Sequence, residues 1–122
     1  MYPVMRQSLV LATIVLAACR SGDWKQAAAA DGMVQIRADI GDASARFSDV
    51  QVVGDSRTGQ ICGKVLAHDV STGFGTPARF VVYIDHTAGP WIEGQHGRET
   101  VTDNRFDFAW QHDCVDEGWR QP

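Results

Sequence analysis

Where the first of its three cysteines stands does most to constrain how this chain can fold. Ser8 to Ala18 form an uncharged, mostly apolar run, and Cys19 follows at once. Such a run is too short to cross a bilayer as a lone helix, which needs about 20 residues. With Arg6 ahead of it as the only charge, it fits the apolar core of a cleaved export leader over residues 1–18. What remains after such a cut has room for one domain, and a second folded unit is not expected. The two other thiols, Cys62 and Cys114, would then mature in an oxidising compartment, where a pair normally closes. A Cys62–Cys114 disulfide is therefore expected, contributing roughly 4 kcal/mol in the chain-entropy model, on the order of the whole stability margin of a small domain. The alternative left open is two buried free thiols. Neither cysteine has a second ligand at zinc-type spacing, so no metal is expected.

The run closes on Leu16-Ala17-Ala18-Cys19, which resembles the bacterial lipobox. That resemblance implies diacylglyceryl transfer to the Cys19 sulfur, cleavage after Ala18, and acylation of the new amino terminus by a chain such as palmitate. One acyl chain holds weakly and two or three hold firmly, at roughly 0.8 kcal/mol per buried methylene. Arg20, rather than aspartate, follows the cysteine, and by the sorting habit of such proteins this points to the outer membrane, facing the periplasm, rather than the inner. Residues 19–31 read as a lipidated tether and 32–122 as a single domain.

The net charge is -4, with 44% hydrophobic and 21% charged residues, as in an ordinary globular protein. Only two lysines occur, Lys25 and Lys64, and no basic cluster exists to follow a phosphate backbone, so no nucleic acid is expected as a partner.

Met33, Ile36 and Ile40 share a helical face, while Val34, Ile36, Ala38 and Ile40 also alternate; the helix is the expectation. Ala27 to Ala30 could begin it earlier. Gly41 ends it, and Asp42 can cap a turn through Phe47. Strands are expected at Val50–Val53, Gln60–His68, Ala78–Asp85 and briefly at Trp91–Glu93, with a last one near Arg105 placing Phe106, Phe108 and Trp110 on one face. The fold class is α+β, a short N-terminal helix packed on a small antiparallel sheet with one disulfide.

Chemistry-bearing constellations are sparse. His68-Asp69, Asp85-His86 and His112-Asp113 are adjacent pairs, but neighbours on a strand point to opposite faces and make no dyad. No strained serine turn, Walker loop or dinucleotide fingerprint is present, so no catalytic residue is assigned and no cofactor is expected. Phe74, Trp91 and Trp119 are the candidate binding residues, aromatic groups able to meet a glycan or an envelope protein. Trp110 is expected in the core and Trp119 at the surface. Three functions compete: a membrane-anchored envelope protein that binds or scaffolds, a periplasmic hydrolase built on Asp85, His86 and His96, and a small-ligand or inhibitor module using the Phe74 loop.

Ser44-Ala45-Arg46-Phe47-Ser48-Asp49-Val50, then Ile61-Cys62-Gly63-Lys64-Val65, then Thr72-Gly73-Phe74-Gly75 before Arg79-Phe80-Val81 resemble a family of small exported or lipid-anchored proteobacterial proteins. The resemblance covers residues 40–85. Asp42-Ala43 and Leu66-Ala67-His68 depart from that family's usual Asp-Pro start and Asn-rich stretch. With no activity assigned to the family, the resemblance implies fold and compartment only.

Overall fold

The computed structural model describes residues 23–68 and 74–122. The proposed leader, the Cys19 lipid site and part of the loop before Phe74 lie outside the described residues. Two helices enclose a meander: α1 (Asp23–Ile40), β1 (Arg46–Val53), β2 (Gln60–Leu66), β3 (Ala78–Tyr83), β4 (Trp91–Ile92) and α2 (Asp103–Ala109), which runs on into a π-helical segment, Trp110–Val115. The strands pair in chain order, β1-β2-β3-β4, each antiparallel to the next. The α+β class with one disulfide is what the chain adopts.

Helix α1 takes in residues 23–31, which the want of an apolar stripe assigns to a tether. Alanine is the best helix former and Asp31 accepts from the Gln35 carboxamide at 2.8 Å, so this stretch is helical without an apolar stripe. Gly32 lets the helix come close to the sheet: a Cβ there would lie 3.3 Å from Ile61. Gly41, at φ +70°, ends the helix, its amide bonding the Ala38 carbonyl and that of Asp42 the Arg37 carbonyl, a Schellman pair. Asp42, buried, then ties the turn, accepting from the Ser44 amide at 2.9 Å and the distant His68 amide at 2.6 Å.

Strand β1 begins four residues earlier than Val50, because Asp49 takes a left-handed φ of 57° and the register slips between Ser48 and Gln51. A bulge of this kind breaks alternation, so the first half of the strand does not look like one. The sheet separates two cores. Ile61, Val65, Phe80, Val82 and Ile92 meet Ile36 and Ile40 of α1. On the other face Cys62, Val81 and Trp91 meet Phe106, Ala109, Trp110, Cys114 and Trp119.

The expected strand at Arg105 is a helix instead. Thr102 caps it, its hydroxyl accepting from the Arg105 amide at 3.3 Å, and Asp103 sits in the first turn, where a carboxylate suits the helix dipole. Phe106, Ala109 and Trp110 are buried at helical spacing, while Phe108 is 65% exposed. Phe106 and Trp110 satisfy both periods at once, and Ala109 is the residue that separates them. In the π segment the amides of Asp116 and Trp119 bond the carbonyls of Gln111 and Cys114, five residues back. Cys114 thereby faces the sheet and closes the bridge to Cys62, with a Cα–Cα distance of 6.0 Å and both residues fully buried.

Candidate functional site

Arg79 is the only charged residue within β3, and it faces the short-helix side of the sheet. Its amide donates to Glu93 Oε1 at 3.0 Å and the Glu93 amide donates to its carbonyl at 2.9 Å, extending the β3–β4 pairing by one residue. The guanidinium donates to Glu93 Oε2 through Nε at 3.1 Å and Nη2 at 2.6 Å, and to Asp107 Oδ1 at 2.7 Å. It also lies 5.2 Å and 5.4 Å from the ring centres of Phe106 and Trp110. One side chain thus joins β3, the end of β4 and α2.

Burial works to lower the Arg79 pKa, and the hydrogen bonds it donates to Glu93 and Asp107 outweigh that, leaving the guanidinium more firmly protonated than usual. Burial likewise works to raise the Glu93 carboxyl. The side-chain and backbone hydrogen bonds from Arg79 prevail and hold it below the ordinary carboxylate range. Around this group opens a cleft of about 390 Å³ lined by Arg79, Glu93, Gly94, Asp103, Phe106 and Asp107. Three carboxylates face one guanidinium, so the cleft is net acidic. Arg79, Glu93 and Asp107 are locked to one another, an arrangement that fixes charge in place rather than poising a proton for transfer.

Beside it on the same face, the Tyr83 hydroxyl donates to Asp113 Oδ2 at 2.5 Å, and burial, then that bond, push the phenol pKa upward. The Tyr83 ring meets Trp91 edge-on at 5.7 Å, and the Trp91 indole N–H donates to Glu99. A second, largely apolar groove of about 440 Å³ runs along the last turns of α1, lined by Val34, Arg37, Ala38, Gly41, Asp42 and Ala43.

The three aromatic residues singled out from sequence do not form one surface. Trp91 (7% exposed) and Trp119 (5%) belong to the core beneath α2. The expectation of a surface Trp119 is thus corrected: Trp110 packs edge-on against its ring at 4.8 Å and its indole N–H donates to the Asp49 carbonyl at 3.0 Å, which overrides the polar character of the surrounding tail. Phe74 packs half-buried against the α1-side core and stacks on His96 at 4.0 Å. Trp110 is buried as expected.

Asp85 does not point at His86; its Oδ1 accepts from the amide and hydroxyl of Thr87, at 3.1 and 2.8 Å, closing a turn. His112 pairs with Asp116 at 3.3 Å, one helical turn on. Among the described residues no group of three or more His, Cys, Asp or Glu is placed to hold a metal ion, and no helix is long and apolar enough to cross a membrane. Sequence reasoning passed over Arg79, Glu93 and Asp107. The available signal was a lone charge inside an otherwise apolar strand, on the face that carries Val81.

The fold and cleft define a class, a disulfide-bonded α+β domain with helices of unequal length on the two faces of a four-stranded meander. Compared with known proteins, the chain matches no family model, no curated protein and no solved structure.

Proposed function

We propose that this chain is an envelope protein held to a membrane by acyl chains on Cys19, facing the periplasm, and that its globular part binds or scaffolds a partner without performing chemistry. The observation that carries the compartment is the buried Cys62–Cys114 bridge, since such pairs persist where thiols oxidise. The Leu16-Ala17-Ala18-Cys19 motif supports the same compartment and supplies the anchor. The binding reading draws on the acidic cleft, whose exposed Asp103 and Asp107 suit a basic segment of another envelope component.

Cells fed a tagged fatty acid are expected to label the protein, and Cys19→Ala to abolish the label; a labelled variant would remove the anchor. A photo-crosslinker at exposed Phe108, beside Asp107, is expected to give one discrete adduct in intact envelopes, lost with Asp103→Lys. No adduct would remove the binding role and leave the anchor standing.

A further inference from the structure

The leading end of α1 is exposed among the described residues. Trp24, Lys25, Gln26 and Ala27 are all exposed, Ala28 is the first half-buried residue, and Gly32 is the first buried one. At 1.5 Å per residue, about 6 Å of helix separates Trp24 from Ala28, the first residue packed against the core. On this projection sits one of the described chain's few exposed large apolar side chains, Trp24, 36% exposed, with the Lys25 ammonium 5.6 Å from its ring. The other three tryptophans are at most 7% exposed.

Resting on the anchor proposed above, we infer that this projecting end is seated in the phospholipid headgroup layer, with Trp24 and Lys25 making the contacts. Trp24 lies five residues along the chain from Cys19, a reach of at most about 17 Å when fully extended. The headgroup layer itself is on the order of 5–8 Å deep. Acyl chains on Cys19 therefore keep the helix end within a few headgroup depths of the hydrocarbon, and a path short of full extension brings the indole into the interface. An indole is suited to that layer, having an apolar body and one N–H, and a lysine stem can lie along it while the ammonium meets phosphate. A single tryptophan would bind a bilayer weakly by itself. Tethering makes the second contact intramolecular, so a weak one suffices.

This seating orients the domain. At the other end of α1, the Arg98 amide donates to Asp39 Oδ2 at 2.9 Å, tying down the loop whose Glu93 and Gly94 line the acidic cleft. Asp39 lies about 22 Å along the helix axis from Trp24, so that tie is at the end of α1 away from the seated one.

The test uses protein extracted from the membrane fraction, its acylation read by intact mass. It is reconstituted in phosphatidylcholine–phosphatidylglycerol vesicles carrying phosphatidylcholine spin-labelled at carbon 5 or carbon 12. The shallow label is expected to quench part of the tryptophan emission more than the deep one, and Trp24→Phe is expected to lose that component. Acylated protein whose emission is indifferent to both labels overturns the seating and leaves the anchor intact; a mass without lipid removes both.

Discussion

The two faces of the sheet are closed in different ways. Under α1 the contacts are almost all apolar: Ile36 and Ile40 against Ile61, Val65, Phe80, Val82 and Ile92. An 18-residue helix has enough buried surface to hold itself there. The opposite face is covered by the seven residues of α2 and the six of the π segment. That cover is stapled by Cys62–Cys114, tied by Arg79 to Asp107 and by Tyr83 to Asp113, and held at the tail by the Trp119 indole on Asp49. The short helix buries Phe106, Ala109 and Trp110 in an apolar core of its own and is fixed in addition by covalent and polar links, and the candidate cleft lies among the polar ones.

The largest expected effect is loss of the staple. Replacing Cys62 and Cys114 together by serine is expected to cost roughly 4 kcal/mol in urea unfolding. Amide exchange is expected to rise first in α2 and the π segment, while β2 and β3 amides beneath α1 stay protected. Equal loss on both faces would mean that the two faces are not held differently. Next, Ile36→Ala, at a fully buried position, is expected to cost about 3 kcal/mol by the transfer and cavity terms together. A cost below about 1 kcal/mol would mean that α1 is not held by burial.

The smallest effect concerns Tyr83→Phe, which removes one half-buried hydrogen bond and is expected to cost about 1 kcal/mol at neutral pH. The raised phenol pKa adds a pH signature. Its stabilisation is fully present below the ordinary tyrosine value of about 10 and is lost as pH rises through the higher folded value, so stability declines above about pH 10 and less so in the phenylalanine variant. Tyr83 and Tyr2 are the two tyrosines of the chain, and Tyr2 falls in the proposed leader, so ultraviolet titration of the cleaved protein reads Tyr83 alone. An ordinary midpoint would show that Asp113 does not hold it. Glu93 acts at the other extreme: its lowered pKa gives stabilisation present above the ordinary carboxylate range and lost as pH falls through the lowered value, weakened by its 38% exposed side chain.

Local pattern made several elements legible. Gln60–Leu66 and Ala78–Tyr83 are dense in β-branched and aromatic residues, and Gly41 marked the end of a helix that Ile36 and Ile40 had suggested. Where two periods coincide, pattern does not choose: Phe106 and Trp110 fit strand and helix alike, and α2 was read as a strand. The cleft was illegible for a related reason. Arg79 meets partners 14 and 28 residues away, and no spacing within a strand announces them.

By itself the sequence determined the helix stop at Gly41 and the two central strands, because each depends on residue type and near neighbours; the Cys62–Cys114 pairing was an expectation that the fold bears out. Only tertiary structure decided that Trp91 and Trp119 are core and not surface, that β1 bulges at Asp49, and that Arg79, Glu93 and Asp107 share a cleft. Those outcomes depend on contacts between residues as far as 70 apart, such as the Trp119 indole on the Asp49 carbonyl, and a buried donor takes the partner that the packed chain brings to it.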